Sequence, residues 1–414
     1  MTAGRLKNVI MLLFFYPVYF TLSGIYGVES QSGRGLILPF TIILGIYCAL
    51  AVGLNLLRHP KVKVGSKLPL MFLVLVYLIV IHTLIGFGLF NNISSVLVNI
   101  QYLSGVLGVF ISIYLIRYRK QSVKELFFNI SIVFLIAIIS NLSLSIVNVG
   151  LMQTFSRHIY PFTVLGGIHQ IYVYYPYIVS VVFLFALPLW ERRSKLTIPV
   201  YLLVTAYILV LQVRGAVISY LLGLFTYNLM FSRRSKILNT VIILLMIAFM
   251  FYVFPIDVLF GRFINTSSSV ISGRENVWKV YIENLIEDPL YIVRGSYSKG
   301  STAHLFSGDP FQQGIGHSYH NQYIEVLDSY GAFIFIVFTG SLLYYLFLCT
   351  RKIRESNLDS SIYNYWITLV VYHFLIDLNV NVPLRVTNPA IMYLFYWTSL
   401  YLSIQHAWAS GFID

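Results

Sequence analysis

Three short stretches of the 414-residue chain hold residue types suited to phosphate and proton chemistry. In SGRENVW at 272–278, Ser272 followed by Glu275 fits a capping box. Arg274 then falls in the first turn of a helix predicted over about 273 to 286, ended by Asp288-Pro289. A helix N-terminus favours anions, and a planar guanidinium suits phosphate oxygens. Arg274 equally suits pairing with Glu275 or with a lipid headgroup. Arg214 lies in LQVRGAVISYLLGLF with almost no loop around it. A charge so near hydrocarbon is costly unless it is paired, snorkelled or facing a polar cavity, and Gly215 beside it permits a tight reversal or close ligand approach. The plainer role for Arg214 is to anchor a helix end. In GHSYHNQY at 316–323, His317 and His320 stand three apart and precede Asn321, Glu325 and Asp328. That spacing can present two nitrogens to zinc, but no further ligand set stands out, so no metal and no cofactor are expected. A neutral His320 taking a proton from an alcohol is the better chemical use, with Asn321 or Glu325 orienting it or the acceptor. A polar helix start is the structural alternative.

Two further clusters are less specific. His373, Asp377, Asn379 and Asn381, with Arg385 beyond, either line a polar cavity or cap a helix. The stretch 151–168, with Arg157, His158, Pro161 and Gly166-Gly167, is either a partner surface for the main polar loop or a connector.

The elements that must position these residues are apolar. The chain is 58% hydrophobic and only 10% charged, with a mean hydropathy of +0.79, which excludes an ordinary soluble domain. Runs of about 20 apolar residues can cross a bilayer core of roughly 30 Å, and lipid forces such runs into helices. The pattern predicts an all-α polytopic membrane protein with about twelve transmembrane helices, near 8–26, 36–57, 68–88, 96–116, 125–150, 169–190, 196–212, 214–231, 237–256, 328–349, 361–380 and 388–406. The first run lacks a small-residue cleavage site and reads as a span, not a cleaved signal. The whole chain, 1–414, reads as one membrane domain with one large insertion, 257–327, between spans nine and ten. Glycines punctuate that insertion, and a second short helix is predicted from near Ser318 through Tyr323 into the tenth span.

Basic residues orient the chain. With the N-terminus in the cytoplasm, 19 of the 28 Lys and Arg fall in inward loops, and the large loop faces outward. The net charge of +13 is therefore a set of helix anchors, and no nucleic-acid partner is expected. Cys48 and Cys349 fall at different depths, so no disulfide is predicted. The 32 Tyr and 31 Phe are expected to concentrate near the membrane interfaces.

Three segments together resemble the O-antigen polymerase and ligase superfamily of bacterial surface-polysaccharide assembly. They are VRGAVISYLLGLF at 213–225, SGRENVW at 272–278 with PLYIVRGSY at 289–297, and HNQYIEVLDSYGAFIFIVF at 320–338. They match an Arg-Gly at a span start, a loop Arg followed by Trp, and a His-Asn helix leading to a Gly. The resemblance covers the middle and C-terminal half; the first five spans match in topology only. It implies a glycosyltransferase fold of the C type and metal-independent chemistry in the inner membrane, with the site on the periplasmic side. It implies further that Arg214 and Arg274 hold the diphosphate of an undecaprenyl-diphosphate-linked glycan and that His320 acts as base or positions the acceptor. Around them Arg294, His317, Asn321, Tyr323, Glu325, Trp278 and Arg157 are candidates for substrate binding. The chain departs from the family in having Arg294-Gly295-Ser296 where a Gly-x-Gly is common.

The expected reaction is polymerisation: a growing glycan passes from undecaprenyl diphosphate to a hydroxyl of another lipid-linked repeat unit, with inversion. Membrane lipid and a polysaccharide chain-length regulator are the expected partners besides donor and acceptor. A ligase, which transfers the glycan to lipid A-core, uses the same parts. A lipid-linked oligosaccharide flippase is the competitor from another class, but it more naturally carries charge at mid-membrane depth and keeps its loops short.

Overall fold

A computed structural model describes residues 46–54, 108–149, 175–193, 196–210, 214–231, 289–294, 321–356, 359–377 and 387–410, with 43, 57–58, 244, 282–283 and 286–287 as isolated points. These residues are helical, with no strand among them. The helices are α1 (Gly108–Tyr118), α2 (Val123–Val149), α3 (Tyr175–Arg193), α4 (Thr197–Val210), α5 (Arg214–Met230), α6 (Tyr291–Arg294), α7 (Gln322–Glu355), α8 (Ser360–Tyr372) and α9 (Thr387–Ser410). The π-turn Tyr114–Tyr118 ends α1, and a second, His373–Asp377, continues α8. Helices α2 to α5 follow the predicted spans closely. The expected spans 8–26 and 68–88 lie outside the described residues, as do nearly all of 237–256, the stretch 151–168 and most of the large loop.

Two helical stretches, Val123–Ser140 and Gly331–Glu355, are long and apolar enough to cross a membrane, while Gly108–Tyr118, Thr197–Leu209 and Gly215–Met230 are shorter apolar helices. Only 28% of the Gly331–Glu355 window is buried, unlike the mostly buried core helix of a soluble protein. Its exposed side chains include Phe333, Ile336, Leu343 and Phe347, spaced by three, seven and four to form one stripe. The opposite face buries Phe338, Leu342, Tyr345, Cys349 and Ile353. Water would penalise the exposed stripe, whereas lipid accepts it.

The described helices fall into two compact units. The first contains α2 to α5 and the start of α8 up to Leu369. Its centre is aromatic: Phe127 meets Trp366 edge-on at 5.1 Å and Phe185 at 5.4 Å. Gly223 of α5 faces Leu184 of α3, where any Cβ would come within 2.5 Å of that side chain. Pro188 sits inside α3. It has no N–H to offer the carbonyl four residues back, and its ring crowds that carbonyl. The carbonyl belongs to Leu184, and Tyr365 of α8 donates its hydroxyl to it at 2.9 Å. The neighbouring turn is met in the same way, with Tyr201 donating to the Phe183 carbonyl at 2.6 Å and Trp366 to the Phe185 carbonyl at 2.8 Å. Tyrosine is thus a core residue here. Tyr207, Tyr220, Tyr363 and Tyr365 are fully buried, where an interfacial belt was the expectation.

One end of this unit gathers its polar residues. Arg192, near the end of α3, pairs with Asp359 ahead of α8 at 2.6 Å. Glu191 accepts a hydrogen bond from the Tyr227 hydroxyl near the end of α5. Lys124, at the start of α2, stands 5.9 Å from the Tyr363 ring. Basic loops that sequence reasoning assigned to one side of the membrane therefore share one end of the unit. Burial raises the Asp359 carboxyl, but hydrogen bonds from Ser361 and Arg192 and the charges of Arg192 and Lys124 outweigh it and hold it below its ordinary 3.8.

The second unit contains the first part of α1, α6, α7, the end of α8 with its π-turn, and α9. Ser112 of α1 donates to the Phe395 carbonyl of α9 at 3.0 Å and accepts from Ser399 at 3.1 Å. Tyr345 of α7 donates to the Trp397 carbonyl of α9 at 2.5 Å. Such small polar contacts hold helices together where lipid removes the hydrophobic drive.

Two outcomes follow for this architecture. Tyr365→Phe should orphan the Leu184 carbonyl and cost about 1–3 kcal/mol, read as a lower unfolding midpoint in detergent. A lowered folded-state pKa stabilises above the unfolded value and loses that contribution as pH falls through the folded one. The stability advantage of wild type over Asp359→Asn should therefore be full at neutral pH and shrink below about pH 4, measured by unfolding at stepped pH.

Candidate functional site

The best-described part of the candidate site is the beginning of α7. Asn321 has extended backbone (φ −147°, ψ 114°), so it stands outside the helix, and its side-chain oxygen accepts from the Tyr323 and Ile324 amides at 3.0 and 3.2 Å. This is an N-cap by a residue type that favours the role. The helix accordingly opens at Gln322, later than the predicted start near Ser318. Asn321 and Gln322 are both buried, and so is Asp328 two turns on.

Nine residues into α7, Gly331 takes φ 81° and ψ 174°, a conformation essentially reserved for glycine. The chain bends sharply there. Tyr323 and Phe335 are twelve residues apart, about 18 Å along a straight helix. Their ring centroids are 6.4 Å apart, and Tyr323 is 6.5 Å from Phe338. The first segment of α7 therefore doubles back beside the apolar stretch that follows. The predicted picture of one helix running straight into the tenth span is corrected by this break.

The doubled-back segment is tied to the π-turn after α8. Tyr323 donates its hydroxyl to the Phe374 carbonyl at 2.8 Å. A π-turn widens the helix and disturbs the usual carbonyl pairing, which gives a neighbour access to such an acceptor. His373, the first residue of the turn, is buried with its ring edge-on to Tyr393 at 5.0 Å. Phe374 packs on Trp397 at 4.5 Å. Sequence reasoning singled out His373 but not its partner helix, and it passed over Gln322 altogether.

The remaining site residues are described in part or not at all. Arg214 is the first residue of α5, and Arg294 is the last of the short α6, which packs against α7. Glu325 lies within α7. Arg157, Arg274, Trp278, His317 and His320 lie outside the described residues. The turn at Pro289–Leu290 agrees with a loop helix ending at Asp288-Pro289. Among the described residues no three His, Cys, Asp or Glu side chains gather around a common point. Cys48 and Cys349 are buried free thiols.

A cleft in the first unit, lined by Pro188, Glu191, Arg192, Tyr227, Ser361 and Tyr365 among others, has a volume of about 10 Å³. That is room for one water and no sugar. Its polar groups already engage one another, so it reads as part of the polar end and not as a substrate site.

If the Asn321 side chain fixes the start of α7, Asn321→Ala should cost about 1 kcal/mol and Asn321→Asp much less. Amide exchange of the peptide covering 322–330 checks this, with the alanine variant exchanging faster and the aspartate variant near wild type. Compared with known proteins, the chain matches no protein-family profile and no curated protein.

Proposed function

We propose that this protein is a membrane-embedded glycosyltransferase of the O-antigen polymerase type. On this reading it lies in the bacterial inner membrane with about twelve spans and its working face on the periplasmic side. It transfers a growing glycan from undecaprenyl diphosphate to a sugar hydroxyl of another lipid-linked repeat unit. The support is chiefly the resemblance of the three segments around Arg214, Arg274 and His320, in their order along the chain.

One structural observation favours an anionic substrate. Arg214 opens α5, and no acidic residue stands in the first turn of that helix. The positive end of a helix macrodipole disfavours a cation by up to about 1 kcal/mol, which an anion bound there would offset. A lipid diphosphate supplies two negative groups of the kind that both the helix end and the arginine bind.

In the proposed reaction the acceptor hydroxyl oxygen attacks the anomeric carbon, whose bond to the diphosphate oxygen breaks, with inversion. Arg214 and Arg274 neutralise the charge that develops on the departing diphosphate, a role filled electrostatically. His320 takes the hydroxyl proton. On this reading the basic end of the first unit is the inward one, and Arg214, at the opposite end of α5, belongs to the outward side.

The decisive experiment incubates purified protein with a synthetic lipid-diphosphate repeat unit, with and without EDTA. A glycan ladder that resists chelation is expected. Product formed only when lipid A-core is supplied would assign a ligase, and no product with either acceptor would remove the transferase reading. Arg214→Ala and Arg274→Ala should nearly abolish transfer, while His320→Ala keeps donor binding and loses roughly 10²–10⁴-fold in turnover. Wild-type rates in any of the three would defeat that residue's role.

A further inference from the structure

We infer that Tyr323 is a positioning residue for the proposed transfer: its hydrogen bond to the Phe374 carbonyl locks the doubled-back opening of α7 against the π-turn and fixes where Asn321 and Gln322 stand. The inference rests on the transferase reading for its catalytic consequence, but the tie itself is structural. Tyr323 was a substrate-binding candidate by sequence. Its hydroxyl proton is instead committed to Phe374 at 2.8 Å, and its ring lies against Phe335 and Phe338 of the following stretch.

Three contacts converge on this one side chain. Its backbone amide is held by the Asn321 cap, its ring bridges the Gly331 break, and its hydroxyl reaches a residue 51 positions away. Gly331 alone leaves the angle between the two halves of α7 loosely determined, because glycine imposes little backbone preference. The cap fixes the start of the segment but not its orientation. The Tyr323 hydroxyl connects it to another element through a directional bond. Loss of that bond loosens the segment about Gly331 and removes the Phe374 carbonyl's side-chain donor. A site that transfers a sugar depends on near-attack geometry, so a small displacement costs rate even when binding persists.

Tyr345 supplies an internal control. It makes a bond of the same kind to the Trp397 carbonyl of α9, from the stretch of α7 that follows the Gly331 break. Tyr323→Phe and Tyr345→Phe should each lower the unfolding midpoint. Only Tyr323→Phe should speed amide exchange in the peptide covering 322–330 by about tenfold, with 341–355 unchanged. In the transfer assay with the synthetic lipid-diphosphate repeat, Tyr323→Phe should lose about tenfold in kcat with the KM for donor unchanged, and Tyr345→Phe should keep wild-type kcat. Unchanged exchange over 322–330 in Tyr323→Phe would refute the tie. Changed exchange with wild-type kinetics, or an equal kcat loss in Tyr345→Phe, would refute the positioning role. A wild-type protein that transfers no glycan would sink the transferase reading and the catalytic half with it, while the exchange data would still decide the tie.

Discussion

A backbone carbonyl without a partner has nowhere to turn inside hydrocarbon, and several features of this protein answer that constraint. Pro188 breaks the hydrogen-bond ladder of α3 and leaves the Leu184 carbonyl unmatched within its own helix. A tyrosine from α8 completes it. The π-turn His373–Asp377 disturbs a second ladder, and a tyrosine from α7 reaches its Phe374 carbonyl. Tyr201 and Tyr345 make bonds of the same kind to Phe183 and Trp397. In each case an aromatic ring supplies the apolar bulk for packing, and its hydroxyl supplies the directional bond. Phenylalanine offers only the first and serine only the second.

This division of labour accounts for a tyrosine content that interfacial anchoring alone does not. Many of the tyrosines among the described residues are buried in the cores of the two units, and several bond to backbone carbonyls of neighbouring helices. Irregular backbone within an apolar protein is tolerated only where protein buries it or a cavity supplies partners. The opening of α7 meets that requirement on three sides, through the Asn321 cap, the Gly331 break and the Tyr323 bond. The helix start carries Asn321, Gln322 and Asp328 as buried polar side chains. The glycosyl-transfer proposal gives such a place a use, because an acceptor sugar needs hydrogen-bonding groups where water is excluded.

Charge is distributed differently from polarity. In the first unit Arg192, Asp359, Glu191 and Lys124 gather at one end and interact directly or through tyrosines, while Arg214 stands at the other end of α5. Ion pairs of this exposure contribute little stability, but they fix how helix ends meet. The uncharged polar groups sit deeper and hold helices by hydrogen bonds to backbone. The separation suits the glycosyl-transfer proposal, in which basic residues anchor the protein in a membrane and a few guanidinium and imidazole groups elsewhere do the chemistry.

The helical character and the course of α2 to α5 followed from the sequence alone, because a run of apolar residues in lipid has one stable backbone solution. Arg214 at the head of α5 was readable for the same reason: the apolar pattern restarts beside it. The helix start near Ser318 was placed too early, since a polar run does not reveal which of its members caps, and only geometry assigned the role to Asn321. That α7 folds back at Gly331 could not be read at all. A glycine inside an apolar run is compatible with a straight helix, and what bends it is the Tyr323 ring packing across the break and its hydroxyl finding Phe374. Periodicity reports which surface of a segment is apolar. Which distant carbonyl a tyrosine will satisfy depends on helices being brought together in three dimensions, and only the tertiary structure decided that.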